Sequence, residues 1–130
     1  MKFVVVFRII NKQSQKYIYE FMSWINLETD SKIADLKQNS GYSLIFKHSS
    51  RCSISLMAKR RMDMDLADLP DQVKPYFLDL IAYRSISNLI SETFQVHHES
   101  PQLLLIKDGE CILDQSHGDI SITEVLTLIK

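Results

Sequence analysis

Apolar residues fall along this chain in short blocks whose spacing switches between strand-like and helix-like periods. Ser43–Lys47, built on Leu44-Ile45-Phe46, is apolar enough to predict a strand buried on both faces. After Cys52 the positions Ile54, Ala58, Met62, Leu66 and Leu69 recur at helical spacing, with Lys59, Arg60, Asp63 and Asp68 outside them. They predict the inward stripe of an amphipathic helix that Pro70 ends. Tyr76–Leu80 predicts the next strand, and Ser85 opens a helix through Phe94 with Ile86, Leu89, Ile90 and Phe94 on one face. Upstream, Thr29 or Asp30 can cap a helix to about Ser40, with Ile33, Ala34 and Leu36 inside and Gly41 suited to the left-handed position past its end. Trp24-Ile25-Asn26-Leu27 is a short strand or a packed entry segment.

The last third changes style. Gln102–Lys107 is a strand, Asp108-Gly109 a two-residue hairpin signal, and Glu110–Asp114 the antiparallel return. In that return, Cys111 and Leu113 are expected on one face and Ile112 on the other. Ser121-Ile122-Thr123-Glu124 is a capping box before a closing helix that carries Val125, Leu126 and Ile129. The order helix, strand, helix, strand, helix implies parallel strands joined by crossovers, and the final hairpin makes the sheet mixed. With no internal repeat and no linker, residues 23–130 read as one α/β domain. Residues 1–22 read as an N-terminal extension, either an added strand or a loosely attached segment.

Composition narrows the function classes. A net charge of −1 over 130 residues gives no case for nucleic acid as a partner. No apolar run approaches the ~20 residues that span a bilayer. The stretch Phe3–Ile10 is interrupted by Arg8 and lacks a small-residue cleavage site, so a cytoplasmic location and no membrane are expected. Two cysteines do not make a disulfide framework.

One of those cysteines carries candidate chemistry. Phe46-Lys47-His48-Ser49-Ser50-Arg51-Cys52-Ser53-Ile54-Ser55 runs from a strand end through a small, basic, polar turn into a helix. A cysteine at a helix start meets unpaired N–H groups and the positive end of the macrodipole, which favour the thiolate. Against this stands the ordinary state of an intracellular cysteine, a small buried hydrophobe. Strand-to-helix placement and basic neighbours tip the choice to a reactive thiol. Ser55 occupies the second place of a Cys-x-x-Cys spacing, so no internal disulfide can close there. Before the hairpin, Pro101 opens a central strand and removes a ladder donor, which a cis Ser100–Pro101 bond in a tight turn would explain.

These features together resemble a known family. The reactive cysteine at the strand-to-helix turn and the proline before the hairpin are the thioredoxin layout. More specifically, Phe46-Lys47-His48-Ser49, Arg51-Cys52, Ile54-Ser55, Tyr83–Ser87, His98–Gln102 and Ser116-His117 resemble the YtxJ family of monothiol bacilliredoxins over about residues 24–130. That resemblance implies a thioredoxin-like three-layer α/β/α fold with a mixed central sheet. It also implies thiol–disulfide exchange that removes a low-molecular-weight thiol, bacillithiol or an equivalent, from S-thiolated client proteins. Members often carry Pro directly after the cysteine, where this chain has Ser53.

The resemblance implies that Cys52 is the nucleophile and that Ser55 donates a hydrogen bond to the reacting sulfur. Ser100, before Pro101, would align the substrate through its backbone, and Ser53 would line the site. Lys47 and Arg51 either favour an anionic small thiol or are solvated surface charges. No bound cofactor is expected, only the small thiol as co-substrate, and no metal: adjacent His97 and His98 point to opposite sides of an extended segment. Two other functions compete, a glutaredoxin-like iron–sulfur binding module and a redox-silent adaptor. Cys111, beside the hairpin turn, is expected to lie too far from Cys52 to pair with it.

Overall fold

The computed structural model describes residues 23–130; residues 1–22, with the extension expected there, lie outside the described residues. Five strands form one sheet in the order β1-β3-β2-β4-β5. They are β1 (Ile25–Asn26), β2 (Tyr42–His48), β3 (Val73–Asp79), β4 (Gln102–Lys107) and β5 (Glu110–Ser116). Helices α1 (Asp30–Gln38), α2 (Ser53–Asp65), α3 (Arg84–Phe94) and α4 (Ile122–Leu128) connect them and cover both faces. β1, β3 and β2 run parallel, β4 runs antiparallel to β2, and β5 pairs antiparallel with β4. This is the three-layer α/β/α arrangement with a mixed sheet.

Strand alternation sorts the core into two halves. Ile45 of β2 and Leu104 and Ile106 of β4 face Ile33 and Leu36 of α1 and Ile86, Ile90 and Phe94 of α3. Leu44, Phe46, Leu103 and Leu105 face the other way, onto Ala58 and Met62 of α2 and Ile122 and Val125 of α4. β2 is thus buried on both faces, as its composition required.

Several boundaries shift for local reasons. α1 ends at Gln38 rather than near Ser40, and Gly41 makes the turn into β2 at φ +89°. There its N–H donates to the Asp108 carboxylate at 2.6 Å, tying the turn to the far hairpin. β3 begins three residues before the expected start and contains Pro75. The Leu27 N–H donates to the Phe77 carbonyl, so Phe77 turns its backbone polar groups toward β1. Pro75, two residues earlier, turns the same way, but β1 pairs only with Tyr76 and Phe77. The missing N–H therefore falls beyond the β1 register among the described residues, on the outer side of β3 and away from the β2 ladder.

The inward stripe of α2 is not the expected one. Steps of four residues drift about 40° each around a helix, so Ile54, Ala58 and Met62 cannot all face the core. Packing centres on Ser55, Ala58 and Met62, and Ile54 is 52% exposed. The Ser121 cap also differs from a simple box. Its side chain accepts the Thr123 N–H, but its own N–H goes to Gln115, which in turn holds Glu124. Gln115 is inserted as a relay because its position on β5 is buried beside the cap.

Candidate active site around Cys52

The site lies where β2 ends, β4 begins and α2 starts. Lys47 pairs with Gln102 across β2 and β4, so Pro101 sits at the same end of the sheet as the turn after His48. In that turn the Cys52 N–H donates to the Ser49 carbonyl at 3.2 Å. Cys52 is the N-cap of α2, with extended φ −114° and ψ 122°, and its carbonyl accepts the Leu56 N–H at 3.0 Å. Its side chain makes no capping hydrogen bond, and the first turn of α2 carries no acidic residue. The positive end of the helix dipole is therefore not offset at this position. Cys52 is half-buried, with Arg51 and Ser53 exposed on either side of it.

Ser55 does a different job from the expected one. Its oxygen accepts the Ser49 N–H at 2.9 Å and lies 2.8 Å from His48 Nδ1. The hydroxyl is fully buried, so its hydrogen bonds pin the turn leading to Cys52 instead of reaching the sulfur. One helical turn past the N-cap faces back onto the preceding strand, and here His48 stands in that space. The His48 ring packs against Phe46 and Phe77, with Trp24 stacked on Phe46. Burial first, and then the nearby Lys59 cation, push His48 below its ordinary value and keep the ring neutral.

Lys47 also departs from expectation. Neither a surface charge nor exposed to an incoming anion, it is fully buried on the α1/α3 face. Its Nζ lies 2.8 Å from His98 Nδ1. An ammonium has no acceptor, so Lys47 donates and the His98 proton resides on Nε2. The Ser87 hydroxyl of α3 reaches the same nitrogen at 3.3 Å. Burial pushes Lys47 down to about 8, with Asp114 opposing and Arg84 adding to that fall. Burial also lowers His98, helped by the charges of Lys47 and Arg84.

The segment that follows His98 is fastened from β4. Gln102, fully buried, donates to the His97 carbonyl at 2.9 Å and to Asp114 at 2.8 Å, and accepts the Glu99 N–H at 3.4 Å. The Ser100–Pro101 bond is cis. The Pro101 carbonyl accepts the His117 N–H at 3.1 Å, and His117 Nε2 lies 3.5 Å from Glu99 Oε2. The Ser100 hydroxyl is buried without a partner. Sequence reasoning placed Pro101 but missed the Lys47–His98–Ser87 and Gln102–Asp114 contacts. A signal existed: a lysine inside a strand apolar on both faces has only buried positions to occupy.

Cys111 sits at the other end of the sheet. It pairs with Ile106, four residues along β4 from Gln102, or roughly 13 Å at strand rise. Its thiol donates to the Leu113 carbonyl, and burial pushes it up to about 11. The expectation that Cys111 and Leu113 share a face fails. A register shift between Leu105 and Ile106 makes Ile112 the extra residue, so Cys111 packs toward α1/α3 and Leu113 toward α2/α4.

With this geometry in place, comparison with known proteins decides the family. The model of the family described as "Monothiol bacilliredoxin BrxC" matches residues 25–125. The chain belongs to the monothiol bacilliredoxin family. A solved structure described as a candidate oxidoreductase with a thioredoxin fold is 26% identical, with a TM-score of 0.72 over 84% of this chain and 95% of that one. Thioredoxin from Malassezia sympodialis (16% identical, TM-score 0.65, 80% and 87% covered) shares the fold. So does mitochondrial thioredoxin 3 from Saccharomyces cerevisiae (17% identical, TM-score 0.64, 84% and 95% covered). This bacilliredoxin is a thiol–disulfide oxidoreductase with a thioredoxin-like fold. Among its described residues no helix is long and apolar enough to cross a membrane, and no group of His, Cys, Asp and Glu could hold a metal ion.

Proposed function

We propose that this bacilliredoxin removes a low-molecular-weight thiol, bacillithiol or an equivalent, from S-thiolated proteins by a one-cysteine mechanism. The Cys52 thiolate attacks the small-thiol sulfur of a protein mixed disulfide. That S–S bond breaks, the client leaves as a thiolate, and a new disulfide joins Cys52 to the small thiol. A second small thiolate then attacks the outer sulfur of this adduct. It leaves as the symmetric small-molecule disulfide and regenerates Cys52, so each electron pair is accounted for. The segment carrying Ser100 and cis-Pro101 lies at the same sheet end and would align the incoming disulfide, while Arg51 and Ser53 line the approach.

The observation that carries this reading is the pairing of two placements. Cys52 caps α2 with its sulfur uncommitted, and the other thiol, Cys111, lies at the far end of the sheet. The test is mass spectrometry of the protein mixed with an S-bacillithiolated peptide. A small-thiol adduct on Cys52, freed again by excess thiol and lost in Cys52→Ser, is expected. An adduct on Cys111, or a Cys52–Cys111 disulfide, would overturn the mechanism. Absorbance bands of an iron–sulfur cluster after anaerobic reconstitution, without peptide exchange, would favour the binding-module alternative.

A further inference from the structure

We infer that Lys47 is a positioning residue for disulfide exchange, holding the segment 97–101 in place through its contact with the His98 ring. The inference rests on the reading of Cys52 as nucleophile and of that segment as the part that aligns the substrate.

Three observations converge on Lys47. It lies five positions before Cys52 on β2, in register with Gln102, and is fully buried. Its hydrogen bond goes to a neutral imidazole and not to a carboxylate, which is the weaker way to hold a buried cation. Replacing such a group with an apolar side chain of similar length is often neutral or stabilising, so fold stability alone does not explain it. What the ammonium does supply is a directed donor. Gln102 grips the backbone of His97 and Glu99 on either side, and Lys47 grips the ring between them. Without Lys47, His98 Nδ1 keeps only the 3.3 Å contact to Ser87, and the middle of the segment is held by its flanks. The groups facing Lys47 are His98 from the segment, Asp114 from β5 and Arg84 from α3.

The experiment uses the full chain and an S-bacillithiolated peptide. Lys47→Met is expected to raise KM roughly 10-fold, since misplacing an aligning element by a fraction of an ångström has costs of this order. The rate of iodoacetamide reaction at Cys52 should stay unchanged. His98→Ala should reproduce the KM effect, and the double variant should be no worse than either single one. In the same Lys47→Met protein, the His98 Nδ1 15N resonance should lose its hydrogen-bonded shift, and amide exchange at residues 97–100 should quicken. Unchanged KM in Lys47→Met, or additive losses in the double variant, would overturn the inference. So would an iodoacetamide rate that falls in step with exchange, because Lys47 would then act through charge on Cys52. Wild-type protein that does not exchange with the peptide would overturn the Cys52 reading itself, and the kinetic role of Lys47 with it.

Discussion

Two cysteines in one small domain behave as different chemical species. Burial and the Asp114 charge push the Cys111 thiol up to about 11, and at pH 8 it is essentially all neutral. Iodoacetamide at that pH should therefore label one site per chain, Cys52, as peptide mapping can check. The two shifted side chains pull stability in opposite directions with pH. The raised Cys111 value means the folded chain holds more protons between 9.0 and about 11, so its contribution falls as pH rises through that window. The lowered Lys47 value means the unfolded chain holds more protons between about 8 and 10.5. Its burial therefore costs most below pH 8, and that cost disappears above 10.5. Thermal melts should show Lys47→Met more stable than wild type at pH 7, with the gap closing by pH 10.5. The sequence placed Cys52 at a helix start, and the structure finds it as the N-cap of α2, because helix-start signals are local. It concealed the roles of Lys47 and Ser55, because their partners, His98 and His48, are chosen by how a strand and a helix meet.

At the scale of elements, the turn from β2 to α2 depends on one buried hydroxyl. Ser55→Ala would leave the Ser49 N–H and His48 Nδ1 without their partner, a loss of about 1–3 kcal/mol by the usual cost of orphaned buried groups. Denaturant unfolding would measure it, and loss of exchange activity beyond the stability change would place the turn geometry in the reaction. The β4–β5 hairpin offers a sharper case. Gly109 has φ +81°, and a Cβ there would collide with the Lys37 carbonyl of α1. Gly109→Ala should cost roughly 1–3 kcal/mol from backbone strain alone, with more from the collision. The Asp108-Gly109 pair announced this hairpin plainly. The register shift two residues later had no comparable signal, because Cys111, Ile112 and Leu113 are all apolar and only their pairing with β4 shows which of them is extra. The α2 stripe failed for a related reason, as regular four-residue spacing describes a spiral and the sheet selects one arc of it.

Across the whole molecule, the strands set the two thiols at opposite ends of the sheet, so the proposed cycle draws on an external thiol. Mild oxidation of the folded monomer should yield small-thiol adducts and no intramolecular bridge, and Cys111→Ser should keep full exchange activity. The layout behind this was legible early: strand, crossover and hairpin patterns fixed a mixed sheet, and the proline before β4 fixed the end at which the site lies. What composition could not reveal was how little of the outer edge β1 covers. On that side Val73–Pro75 of β3 pair with β2 but have no β1 register partner among the described residues. An open strand edge invites another chain to add itself by backbone pairing. Pro75 offers no N–H there, the outward Val73 N–H is held by the Pro70 carbonyl, and Lys74 between them is exposed and charged. At the opposite edge the β5 bulge and the exposed Glu110 and Asp114 disturb the ladder in their own way. The same proline that looked like an interruption of β3 thus withholds the one backbone donor that an added strand would need at this point of the edge.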